Sequence, residues 1–195
     1  ISRGEADMAG VHLLDPETMV YNSPYLSNYG LEKSCLVKGY KRLQGIIVAR
    51  GNPKGIMNLE DILGKDLIFV NRNRGSGTRM LIDIEFTKIA AAKGIDLRSL
   101  TKQIRGYRWE AKTHSAVGAA ISQGRADAGV GVKSVAAHYG LDFIPMSDEE
   151  YDFLVNPSSK SKPSVVAFMR CLRSEAFKRA IAELPGYSAW GSSAP

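Results

Sequence analysis

The sequence predicts an α/β fold, and three observations carry that expectation. Short apolar, strand-like runs alternate with stretches of helical periodicity. Two of the helical stretches open on hydroxyl residues directly after a strand-like run. One turn signature also occurs twice: Ser2-Arg3-Gly4-Glu5-Ala6-Asp7 returns as Ser122-Gln123-Gly124-Arg125-Ala126-Asp127, identical at four of six positions.

The elements follow in order. Residues 45–49 are a buried-strand candidate closed by the turn signal Gly51-Asn52-Pro53. Asn58 then caps a short helix over 59–63. Residues 66–70 read as a second strand. A helix follows over 79–93, with Ile82, Phe86, Ile89 and Ala90 on one stripe and Gly94 as its stop. Residues 104–107 are strand-like. The stretch 113–123 is helical and ends at Gly124, and 128–132 is a strand of small residues. A long helix over 164–184 closes the pattern, with Ser174 a candidate break.

In each copy of the repeated signature a helix would end at glycine, and Ala-Asp would turn the chain into a buried strand. Two copies suggest two similar α/β lobes; the alternative is chance likeness of a common helix-to-strand turn. The second copy has its own lobe ahead of it from Leu67 onward, and the first has nothing ahead of it. Lobe one is therefore expected to be truncated, lacking its opening elements.

Composition narrows the class. With 44% hydrophobic, 24% charged and 8% aromatic residues, the chain is globular rather than disordered or fibrous. No apolar run approaches the ~18 residues of a membrane span. The opening Ile1-Ser2-Arg3-Gly4 shows no leader pattern, which leaves localisation open. Cys35 and Cys171 are too few for a disulfide scaffold and would pair only if the fold brought them together.

The charge is uneven. The net charge is +6, and the segment from Lys65 to Lys112 carries 11 basic and 5 acidic residues, the whole excess. A solvated basic face, an anion-binding region and a nucleic-acid surface are the three readings. No DNA- or RNA-binding motif accompanies the charge.

The strongest local feature is the run from Phe69 to Arg79, where a strand leads into Gly75-Ser76-Gly77-Thr78 and a helix. Glycines let the backbone turn tightly, Ser76 and Thr78 offer hydroxyls, and the first helical N–H groups carry positive partial charge. That combination suits an anion, with Arg72, Arg74 and Arg79 nearby. It is neither a Walker loop nor a dinucleotide fingerprint. A plain helix cap at Ser76 or Thr78 is the competing reading. Thr113 likewise caps a second helix, with His114 and Ser115 in its first turn. In a parallel sheet both N-termini would lie at one edge, where α/β folds bind ligands. His12, His114 and His138 lack metal spacing, and no nucleophile signature supports catalysis. His12, after a small-residue strand, could line a cleft or sit in the core or at the surface.

Several segments together resemble a known family. They are Gly4 to Asp15, Arg42-Leu43-Gln44-Gly45, Gly51 to Ile56, Asn71-Arg72 with Gly75 to Arg79, Thr113-His114, Gly124 to Gly129 and Gly140 to Phe143. The set is similar to the periplasmic-binding-protein-like domain of molybdate- and tungstate-binding type. The resemblance implies a two-lobed type II fold with a hinge, lobe one spanning 1–47 and 150–195 and lobe two spanning 48–149. It implies a non-enzymatic binder, without cofactor or metal, of a small inorganic oxyanion in an interlobe cleft. Ser76, Thr78, Thr113 and Ser115 would donate hydroxyls, and Gly77, Thr78 and His114 backbone N–H groups. Arg74 and Arg79 would raise the local potential or pair elsewhere. Implied partners are a transporter permease, or a fused DNA-binding or enzyme domain, with a homodimer possible and no direct nucleic-acid contact. The compartment would be periplasmic or extracellular for a transport receptor and cytoplasmic for a fused sensing domain. The sequence departs from transporter receptors at Val130-Gly131-Val132-Lys133, where those often place a tyrosine.

Overall fold

The computed structural model describes residues 1–32, 35–64 and 66–190. Lys65, which opens the basic stretch, and the last five residues of lobe one lie outside the described residues. The chain divides into two compact units, one comprising Ile1–Arg42 with Asp148–Pro195 and the other Leu43–Ser147. Two long strands, β2 (Leu36–Val48) and β6 (Asp142–Val155), contribute to both.

In the Leu43–Ser147 unit the sheet order is β6-β2-β5-β3-β4, with β3 at Phe69–Arg72, β4 at Glu110–Ala111 and β5 at Ala128–Val132. β3 runs parallel to both β4 and β5, while β2 is antiparallel to β5 with Gln44 opposite Val132. Alternation along these strands fills both faces. Ile46, Val48, Phe69, Ala128 and Val130 pack on one face with Ile82, Phe86 and Ala90 of α1 (Gly77–Ala92) and Leu100 of α2 (Leu97–Thr101). Ile47 and Val70 pack on the other with Val117, Ala120 and Ile121 of α3 (His114–Ser122) and Ala136 of α4 (Lys133–His138). β5 is narrow on the α3 side: a Cβ at Gly129 would stand 2.6 Å from Val117 Cγ1 and 2.7 Å from the Val70 carbonyl oxygen. Glycine there lets α3 lie directly on the sheet.

One sequence expectation is corrected here, and the candidate break at Ser174 is found. The strand expected over 104–107 is a turn, and the strand beside β3 is Glu110–Ala111. Gly106 adopts φ +86°, and a Cβ there would meet the Phe69 carbonyl oxygen at 2.2 Å. The left-handed residue breaks the run even though the Arg105 and Trp109 carbonyls still accept from Phe69 and Asn71 N–H. The long helix over 164–184 is two helices, α5 (Pro163–Leu172) and α6 (Glu175–Ala182), parted at Ser174, whose Oγ accepts from the Phe177 N–H at 3.1 Å.

In the other unit, β1 (Met8–Val11) pairs antiparallel with β6, and β7 (Tyr187–Ala189) pairs antiparallel with β2. Tyr40 and Tyr151 stack at 5.0 Å, and the His12 ring lies against Tyr151 at 5.3 Å. Several charged residues inside these strands are paired: Lys38 with Glu150 at 2.8 Å and Asp152 at 3.1 Å, and Arg42 with Glu149.

The repeated signature adopts one turn twice. Gly4 (φ 73°) and Gly124 (φ 66°) are both left-handed. Their N–H groups close on the carbonyls three residues earlier, at 2.9 and 3.0 Å. In each copy the strand begins one residue after the aspartate, at Met8 and at Ala128. Both cysteines are free, Cys35 buried and Cys171 exposed. Among the described residues no helix is long and apolar enough to cross a membrane.

Candidate functional site

Because β3 and β4 are parallel, the helices that follow them start at the same edge of the sheet. At α1 the cap is Ser76, whose Oγ accepts from the Arg79 N–H at 3.2 Å and donates to the Asn73 carbonyl at 2.9 Å. The first ladder bond runs from the Met80 N–H to the Ser76 carbonyl, so the N–H groups of Gly77 and Thr78 lie ahead of it. At α3 the Thr113 Oγ1 accepts from the Ala116 N–H at 3.0 Å, and the ladder begins with Val117 N–H to the Thr113 carbonyl. His114 and Ser115 occupy the first turn, with Thr113 and Ser115 exposed. A Cβ on Gly131 would lie 3.6 Å from His114 Nδ1, which places that ring over the end of β5.

The arginines divide. Arg74 is a surface side chain, 83% exposed and 3.5 Å from Glu110 Oε1. Arg79 is buried and turned inward. Its Nε meets both Asp83 oxygens at 2.9 and 3.0 Å, and Nη1 reaches the Arg72 carbonyl and Glu110. Its guanidinium lies 4.8 Å from the Tyr107 ring centroid. Burial works against its charge, but Asp83 outweighs burial and holds its pKa above the ordinary value. Tyr107 donates to the same Asp83 at 2.6 Å, and burial together with that bond raises its pKa. Arg72 donates to the carbonyls of Ala111 and Lys112, fastening the loop before α3 to β3. Ser76, Gly77, Thr78, Thr113, His114 and Ser115 thus come to two helix starts at one edge, while Arg79 braces the body of α1.

His12 lies elsewhere, in the first unit, with Nδ1 2.9 Å from Glu149 Oε1. No group of three or more His, Cys, Asp or Glu residues among those described could hold a metal ion.

Sequence reasoning missed two residues. Asp83 was not singled out, yet it organises Arg79 and Tyr107. Gln44 is 1% exposed, and neither side-chain amide atom has a hydrogen-bond partner. Its signal was present as the one polar side chain opening the run Gln44-Gly45-Ile46-Ile47-Val48.

An α/β sheet with two capped helix starts at one edge, in a chain of two units joined by long strands, is the architecture of the two-lobed type II binding proteins. The PBP (periplasmic-binding-protein) superfamily domain matches residues 1–173, and the chain belongs to that superfamily. The chain is 35% identical over 187 residues to the uncharacterized protein YvgK of Bacillus subtilis (strain 168), covering 95% of this chain and 57% of that protein. The chain thus spans little more than half of that relative's length. The sulfate-binding protein SubI of Mycobacterium tuberculosis superposes with a TM-score of 0.69 at 13% identity, over 97% of this chain and 72% of that one. A substrate-binding domain assigned to a molybdenum ABC transporter of Clostridium difficile gives 0.58 at 18% identity, over 95% and 78%. At such identities these two likenesses establish the fold.

Proposed function

We propose that the Leu43–Ser147 unit binds a tetrahedral oxyanion at the N-termini of α1 and α3. The observation that carries this reading is the pair of side-chain-capped helix starts at one edge of parallel β3 and β4. Helix N-termini offer fixed N–H donors and positive partial charge without a mobile cation. Gly77, Thr78 and His114 supply backbone donors, and Thr113 and Ser115 supply hydroxyls. Ser76 sets the α1 turn and can redirect its proton from Asn73. Arg74 adds charge at the rim, and Arg79 holds α1 in place.

Molybdate or tungstate is the first candidate ligand, on the motif resemblance. Neutral, preorganised donors discriminate such dianions by size rather than by charge alone. A transport receptor of this kind would act outside the cytoplasm with a permease partner. A second reading, an effector-sensing module of a larger protein, is favoured by the match to only 57% of the Bacillus relative. Oxyanion-dependent DNA binding or enzyme activity of a longer polypeptide would support it.

The test is calorimetric titration with molybdate, tungstate, sulfate and phosphate against chloride at matched ionic strength. Saturable heat with at least one tetrahedral oxyanion is expected. Thr113→Ala should weaken it about tenfold, while Thr113→Ser retains it. No heat with any of the four would overturn the oxyanion reading.

A further inference from the structure

A second set of polar groups lies on the α1 side of the same unit. Strand alternation puts the Gln44 side chain on the face of Ile46 and Val48, which is the α1 face. Ile46 of β2 and Leu81 of α1 line one cavity of about 350 Å3 together with Ile144, Met146 and Ser147 of β6. From Ile46 to Gln44 is one step of two residues along β2, toward the edge where α1 begins. From Leu81 to Thr78 is one helical turn in the same direction. The close approaches of Gly39 to the Tyr151 carbonyl and of Gly45 to the Ile144 carbonyl show β6 antiparallel to β2. Going from Ile144 to Met146, which share the α1 face, therefore leads the same way. The two polar residues reached by these steps are both without partners: Gln44 Nε2 and Oε1 and Thr78 Oγ1 are buried with no hydrogen bond. Thr78 is 0% exposed.

Buried polar groups are almost always satisfied, and leaving them unpaired costs stability. Gln44 and Thr78 bring such groups together on one side of the α1 N-terminus. Together they offer the two amide protons and one hydroxyl proton, with Gln44 Oε1 as the only group confined to accepting. A set so weighted toward donation fits an anion better than a cation.

We infer that Gln44 is a ligand-contacting residue of the oxyanion site, donating its amide N–H to the anion beside the α1 N-terminus. Oε1 then accepts from the Thr78 hydroxyl. This rests on the oxyanion reading above and adds to it a residue outside both helix starts. It also explains why an amide stands in an apolar strand run. Glutamine supplies a neutral donor there, where a carboxylate would repel a dianion.

The experiment compares the wild type with Gln44→Met and Gln44→Glu, by thermal unfolding without anion and by calorimetric titration with molybdate, sulfate and phosphate. Methionine fills the same volume without polar atoms. Gln44→Met is expected to unfold at a higher temperature than the wild type and to bind the anion about tenfold more weakly or worse. Gln44→Glu should lose about a hundredfold for molybdate and sulfate, and less for phosphate, which carries a proton the carboxylate can accept. Wild-type affinity in Gln44→Met would overturn the inference, because Gln44 would then serve only an internal water. If the wild type binds none of the anions, the oxyanion reading fails and takes this one with it. That outcome is separable from the first, in which the wild type binds and Gln44→Met binds equally well.

Discussion

Arg42 and Glu149 grip each other between β2 and β6 through the guanidinium Nε and Glu149 Oε2, while Oε1 of the same carboxylate meets His12 Nδ1 at 2.9 Å. The Glu149 side chain is 0% exposed. A carboxylate so placed is tolerated only because it is paired and hydrogen-bonded. Arg42→Met leaves that charge buried without its main partner and is expected to cost about 3–5 kcal/mol. Urea unfolding should show this as a lower midpoint at unchanged slope. Arg42→Lys keeps the charge without the planar fork and should fall between the two.

The same contact sets an acid limit. Burial pushes the Glu149 pKa upward, but the His12 hydrogen bond and the Arg42 charge outweigh it and hold the carboxyl below its ordinary value of 4.5. The folded pKa is thus lower than the unfolded one. The contribution to stability is complete above the unfolded value and is lost as pH falls through the folded value. Thermal unfolding should show the melting temperature dropping on the acid side, below a pH of about 4.5. Glu149→Gln should flatten part of that acid limb while lowering stability at neutral pH. An unchanged limb in Glu149→Gln would assign the acid sensitivity to other carboxylates.

These pairings also explain what the sequence hid. The α/β class, the caps at Asn58, Ser76 and Thr113, the strand Ala128–Val132 and the break at Ser174 follow from local chemistry, and all were legible. The long strands were not legible in full, because Lys38, Lys41, Arg42, Asp148, Glu149, Glu150 and Asp152 interrupt any local apolar run that would mark a strand. Their strand character depends on cross-strand partners more than a hundred residues away, such as Lys38 with Glu150 and Arg42 with Glu149. Helix α4 was missed because it starts at Lys133 behind Val132, whose side chain cannot cap it. At the candidate site the helix starts were visible as hydroxyl-glycine punctuation. Gln44 was not singled out, since only burial shows that it lacks a partner.

Gly129 couples packing to the site. Gly129→Ala would drive a methyl group against Val117 of α3 and the Val70 carbonyl oxygen, at 2.6 and 2.7 Å. The backbone oxygen cannot swing aside as a side chain would, so α3 must lift from the sheet. Overpacking of this kind costs about 1–3 kcal/mol. The same displacement moves the α3 N-terminus, so anion affinity should fall as well. Paired urea and titration measurements on Gly129→Ala check both effects. Gly124→Ala offers a contrast: a Cβ there meets nothing within 4 Å, so any loss would reflect only the left-handed backbone.

Asp83 separates bracing from binding at α1. It accepts two bonds from Arg79 Nε and one from the Tyr107 hydroxyl at 2.6 Å. Asp83→Asn keeps the shape but removes the charge that holds a buried guanidinium. Because Asp83 is itself 35% exposed, solvent screening limits the loss to about 1–3 kcal/mol. If Arg79 serves only to hold α1, anion affinity in Asp83→Asn should not fall. It should rise modestly, since a carboxylate near the helix N-terminus has been neutralised. Arg79→Met should then lose stability while changing affinity by less than about threefold, under 1 kcal/mol. A loss of binding in Arg79→Met well beyond its effect on stability would place the guanidinium on the ligand instead.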